Sequence, residues 1–217
     1  MAYKSSLVKA VVGLAVLAIF AVVFMRSVRS TRAEPFVVER EGLTGWTLVQ
    51  QSSPDPMGAW LAVSPPPLLA TSLGRDVFER GGESVSYPSP AQVPLLLQSE
   101  FARALAGRVS PEEIVGLARA AGFESMMWKP RCMGHRRVSE PGVSRAVYFV
   151  LFETEAIERF RRQVSGLLGA SAGDSTVFDP LALSPVLIVA GLDGNFSRWM
   201  PLRAESETDC VAAVQVM

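Results

Sequence analysis

The stretch RAVYFVLFETEAIERFRRQVSGLL, residues 145–168, decides the fold class, because it sets a strand directly against a helix. Arg145 to Phe152 is a continuous aromatic and β-branched run suited to a central position in a sheet, with both faces covered. Thr154 then offers its hydroxyl as a cap for the helix that follows. Ile157, Phe160, Val164, Leu167 and Leu168 recur at helical spacing, opposite Glu158, Arg159, Arg161 and Arg162. A covered strand that runs at once into an amphipathic helix calls for a layered α+β arrangement.

Working outward, the same succession recurs upstream. FVVERE (36–41) and GWTLVQQ (45–51) read as strands, and the turn-forming SSPDPMG (52–58) leads into the apolar AWLAV (59–63), so Trp46 to Val63 is predicted as a hairpin. Ser64 and Pro65 to Pro67 open a helix, since proline is tolerated where a first-turn N–H has no partner anyway. Its expected core face is Leu68, Leu69, Leu73, Val77 and Phe78, and Gly81-Gly82 ends it. A polar loop (83–92), an apolar Pro94-Leu-Leu-Leu and a helical SEFARALAG (99–107) come next. Ser110-Pro-Glu-Glu113 carries a capping box for a helix reaching Gly122, with Ile114, Leu117, Ala118 and Ala121 on one face. FESMMW (123–128) reads as a strand, Gly169 to Ser175 as a loop and Pro185 to Ala190 as a buried strand. A short helix around Phe196 to Trp199 precedes a polar tail.

The two halves share one order: Gly-aromatic strand, apolar strand, capped helix, loop, proline-led strand, then Phe-x-Arg. From cap to proline is 30 positions between Ser64 and Pro94, and 31 between Thr154 and Pro185. Residues 43–106 and 120–200 are therefore candidate pseudo-repeats of a ββαβ unit.

Ahead of this domain, AVVGLAVLAIFAVVFM (10–25) is 16 residues without a charge. At about 1.5 Å per residue it covers roughly 24 Å of a hydrocarbon layer about 30 Å thick. Lys9 can snorkel, which extends the span to residues 7–25. The run is longer than a signal-peptide core and is followed by RSVRSTR rather than by a good small-x-small site, so it is expected to stay uncleaved as a membrane anchor within residues 1–33. The fold-class expectation is thus an N-terminal transmembrane helix followed by a single mixed-sheet α+β domain over residues 34–217.

Flanking charge leaves the orientation open, with Lys4 and Lys9 on one side and Arg26, Arg29 and Arg32 on the other. The two cysteines, Cys132 and Cys210, suit one structural disulfide in an oxidising compartment, the competing reading being two buried thiols in the cytoplasm. The first places the domain outside the cytoplasm. Heavy use of Arg over Lys and the bare anchor point to the periplasmic face of a bacterial inner membrane.

Chemistry is bounded mainly by what is scarce. One histidine excludes the two- and three-His zinc sites. Beyond residue 33 the chain holds 16 basic against 21 acidic residues, which gives nucleic acid no electrostatic footing. Cys132, Met133 and His135 form a soft donor set, and Cys132 with His135 a possible dyad, but a disulfide at Cys132 removes both. Gly169-Ala-Ser171-Ala-Gly173 matches a nucleophile elbow, yet it follows a helix, with the histidine upstream of it. Carboxylates at Glu140, Glu153, Glu155, Asp174 and Asp179 show no pairing by spacing. Arg131, His135, Arg136 and Arg137 form a basic segment, read as a loop able to contact an anionic group. No cofactor is implied. The expected function is a non-enzymatic accessory or protein-interaction role for an anchored domain, its partners being the bilayer through residues 7–25 and another membrane or periplasmic protein. A small hydrolase or transferase, or a small-ligand sensor or carrier, is the alternative.

Overall fold

The computed structural model describes residues 17–21, 34–140, 143–169 and 178–217. The chain forms two compact units, Met1–Glu34 and Pro35–Met217. In the first, residues 17–21 are helical, and Leu17, Ile19 and Phe20 are exposed. The rest of the expected span over residues 7–25 lies outside the described residues. Among the described residues no helix is long and apolar enough to cross a membrane.

The second unit is a mixed α+β fold with two sheets. Its strands are β1 (Phe36–Val38), β2 (Thr47–Gln50), β3 (Ala59–Ser64), β4 (Val93–Leu97), β5 (Pro130–Glu140), β6 (Val143–Phe152), β7 (Val186–Gly191) and β8 (Cys210–Val216). Three helices of ten or more residues accompany them: α1 (Pro67–Gly81), α2 (Pro111–Ala120) and α3 (Ala156–Leu167). The larger sheet is ordered β1-β8-β5-β6-β7 and the smaller β2-β3-β4. All pairings are antiparallel except β1 with β8.

β2-β3-α1-β4 and β5-β6-α3-β7 follow one order, and in each the second strand lies between the first and third. The helices cross over: α1 packs on β7 and α3 on β4, while β4 and β7 lie side by side. Each half thus covers its partner's third strand, which is why β4 and β7 are buried at every position and read as unbroken apolar runs.

Local signals act as the sequence predicts at several ends. Ser110 Oγ accepts the Glu113 N–H at 3.1 Å, with Pro111 in the first turn of α2. Gly82 takes the left-handed conformation (φ 62°) and its N–H closes on the Phe78 carbonyl. At α3 the cap position falls instead on Glu155, which makes no side-chain cap bond; Thr154, one residue earlier, accepts the Ala156 N–H at 3.0 Å.

Other expectations need correcting. On α1, Leu69, Leu73 and Val77 are buried, but Leu68 is 80% exposed and Phe78 47%; Ala70 and Gly74 take the inner face instead. The rotation follows from close approach to β7. A Cβ on Gly74 would stand 2.8 Å from the Val189 carbonyl oxygen and 2.6 Å from the Tyr87 ring. Gly74→Ala is therefore expected to lower stability by about 1–3 kcal/mol through overpacking, outweighing the roughly 1 kcal/mol of helix propensity that alanine brings. A denaturant midpoint at or above wild type would contradict this contact.

FESMMW is not a strand: Ser125 and Met126 donate back to the Gly122 carbonyl in a turn, and Trp128 tucks inward. Its indole N–H reaches the Phe123 carbonyl at 3.1 Å, and its ring stacks on Trp46 at 4.4 Å. Gly122-Phe123 consequently does not open the first strand of the second ββαβ half, a place taken by β5. The polar tail is in fact β8, which pairs with both β5 and β1. Arg161, expected on the solvated face of α3, is fully buried.

Candidate functional site

The basic segment forms most of β5 rather than a loop. Ten registered pairs with β6, from Pro130↔Phe152 to Glu140↔Val143, impose the strand on a sequence with little apolar alternation of its own. Its charges largely meet acids of the same chain. Lys129 Nζ lies 2.5 Å from Glu153, and Arg137 contacts both Glu83 oxygens at 3.0 and 3.1 Å. Arg136 grips Asp209 through Nε at 3.0 Å and Nη2 at 2.5 Å, and also donates to the Arg203 carbonyl. His135 is half-buried with its ring 4.5 Å from that of Tyr148. Arg131 is exposed on the wall of a cleft beside Glu153 and Glu155.

Burial pushes the Asp209 carboxyl up. Hydrogen bonds from Arg136 and from the Glu205 N–H, with the Arg136 charge, outweigh that and leave it below the ordinary carboxylate range. A carboxyl depressed in the folded state adds stability above its unfolded value near 3.9, and this is lost as pH falls through the folded value. Asp209→Asn should therefore be less stable than wild type at pH 7 and lose less on going to pH 3. Equal pH dependence of the two urea midpoints would remove the pair from the acid response.

Cys132 and Cys210 stand at disulfide distance, with sulfurs 1.89 Å and Cα atoms 5.7 Å apart. With Cys132 engaged, neither a Cys–His dyad nor a copper(I) thiolate site is available there. Among the described residues no three His, Cys, Asp or Glu side chains gather as metal ligands. Ser171, Asp174 and the side chain of Glu140 lie outside the description.

Two open clefts among the described residues contrast in chemistry. One, of about 650 Å³, is lined by Pro65 to Pro67 with Ser64, Thr71, Pro88 and their neighbours, and no ionisable side chain reaches its wall. The other, of about 590 Å³, brings Arg131, Glu153, Thr154 and Glu155 together with Ser184 and Ser206. Hydrogen bonding and charge from Lys129 hold the Glu153 carboxyl below the ordinary range. Such a group is a stable anion, the opposite of the raised carboxyl a general acid needs.

The strongest polar constellation is one the sequence reading placed in solvent. Arg161 is 0% exposed and uses all five N–H groups: Nε to the Pro180 carbonyl, Nη1 to the Leu95 carbonyl and Glu100, Nη2 to Glu100 and the Asp179 carbonyl. Glu100 in turn accepts the Leu97 N–H at 2.9 Å. Every donor is used, so this is a structural knot between α3 and β4 rather than a reactive site.

Fold and site together define a mixed α+β domain with a cysteine pair at disulfide distance, in which Lys129, Arg136, Arg137 and Arg161 each face a carboxylate of the same chain. Compared with known proteins, the chain matches no family model, no curated protein and no solved structure. Its function is therefore argued from side-chain chemistry alone.

Proposed function

We propose that the protein is a single-pass, membrane-anchored domain on the periplasmic side of a bacterial inner membrane, with a non-enzymatic accessory or protein-interaction role. The observation that carries the non-enzymatic part is the chemistry of the two clefts. The larger has an uncharged, proline-rich wall, and the carboxylate best placed in the smaller is held ionised by Lys129. The hydroxyls of Thr154 and Ser184 in the smaller cleft bond backbone groups, Thr154 the Ala156 N–H and Ser184 the Ala204 N–H and carbonyl, rather than a side-chain base.

The Cys132–Cys210 pair supports an oxidising compartment. The uncharged run within residues 7–25 supports the anchor, as do the exposed Leu17, Ile19 and Phe20, which bilayer contact would cover. Tethering raises a domain's effective concentration for neighbours in the same membrane, the setting in which an accessory module works. The shared ββαβ order supports a common origin for the two halves.

Fractionation and pull-down with the full chain test this reading. The protein should sediment with membranes, carry an intact disulfide after thiol blocking, and retain a stable partner from solubilised membranes. Recovery of the full chain in the soluble fraction would overturn the anchor. A chain that holds no partner yet turns over a small molecule would overturn the accessory role in favour of the hydrolase or transferase alternative.

A further inference from the structure

We infer that Cys132–Cys210 is a redox-sensitive clasp, whose opening frees β1 and β8 together while the rest of the domain stays folded. β1 pairs with no strand but β8, over Phe36↔Val214, Val37↔Gln215 and Val38↔Val216. Its end is closed by Arg40 N–H to the Met217 carbonyl and Met217 N–H to the Val38 carbonyl. β8 in turn meets β5 at only three registered pairs, with a slip between Met133 and Gly134, whereas β5 and β6 share ten. The β5–β8 seam is thus shorter than the β5–β6 and β6–β7 seams beside it, and the disulfide-distance pair lies across it.

The Arg136–Asp209 ion pair also ties the start of β8 to β5, and Ala212 and Val214 pack against the main core. The Arg136 side chain is 32% exposed and open to screening by salt. Cys132 is buried, but Cys210 is half-exposed where β8 begins. A dithiol reductant is therefore expected to attack Cys210 as thiolate, forming a mixed disulfide and expelling the Cys132 thiolate. Its second thiol then displaces Cys210, leaving the reagent as a cyclic disulfide and the protein reduced by two electrons. The clasp does not depend on the proposed anchor.

Hydrogen exchange on the full chain in detergent, at about 0.15 M salt, tests the clasp with and without dithiothreitol. Reduction should speed exchange at the Arg40 and Met217 amides at least tenfold. The Phe152 and Leu192 amides, which bond to Pro185 and Ala146 in the β6–β7 region, should change less than twofold. A Cys132→Ser/Cys210→Ser variant should reproduce the pattern without reductant. Unchanged Arg40 and Met217 protection would overturn the proposal, and so would equal loss at Phe152 and Leu192. If the variant does not fold, the reduced native chain decides alone. The anchor is tested separately by sedimentation, so either can fail without the other.

Discussion

Replacing Arg161 with methionine is expected to lower the unfolding free energy by about 3–5 kcal/mol, the range for removing one partner of a buried ion pair. Methionine has a suitable length for the space but supplies none of the five N–H donors. The Leu95, Pro180 and Asp179 carbonyls lose a partner, and Glu100, with a side chain only 12% exposed, loses its counter-charge. Arg161→Lys keeps the charge without the planar fork and should fall between wild type and Arg161→Met. Glu100→Gln should also destabilise, because the guanidinium is then buried without a charge to balance it. The pair predicts strong coupling: the double variant Arg161→Met/Glu100→Gln should lose clearly less than the two single losses added together. Urea unfolding of the four variants measures this, and a loss under about 1 kcal/mol for Arg161→Met would remove the knot from the stability of the fold.

The same residue marks where sequence reading reached and where it stopped. The α3 stripe of Ile157, Phe160 and Val164 was legible because burial against a sheet imposes the 3.6-residue period on apolar positions. Arg161 sits beside that stripe and carries the commonest surface charge of this chain, so nothing local separates it from Arg159 or Arg162. Its burial depends on Glu100, 61 positions away, and on carbonyls of β4 and of residues 179 and 180. β8 was missed for a different reason. CVAAVQV does alternate, with Ala212 and Val214 packed toward the core and Val211 and Ala213 outward, but alanines make the pattern faint. The disulfide was legible from cysteine count, whereas Glu83 and Asp209 as partners of Arg137 and Arg136 were not, since the contacts span 54 and 73 positions.

Long-range dependence is also what makes the two halves one unit. α1 lies on β7 at the separation that Gly74 permits, and α3 is fastened to β4 by Arg161. One crossing relies on a missing side chain and the other on the largest polar one. Neither half covers its own third strand, so neither is expected to hold a folded state alone.

Gly134→Val is the second large loss expected, about 3 kcal/mol or somewhat more, at the upper end for overpacking a closed core. Gly134 lies opposite Phe149 across β5 and β6, and a Cβ there would stand 2.3 Å from Cε2 and 2.5 Å from Cζ of that ring. Phe149 has nowhere to go: it is 0% exposed and packs with Leu151, Ile188, Trp199 and Leu202 on the outer face of the sheet. The glycine is thus the bed of an aromatic ring, a known use of glycine within strands. The ring-bed reading and a purely conformational one separate in a double variant. If the clash causes the loss, Phe149→Leu should cost less in the Gly134→Ala background than in wild type, because a smaller side chain relieves the crowding that alanine creates. If backbone freedom at residue 134 causes it, the two losses should simply add.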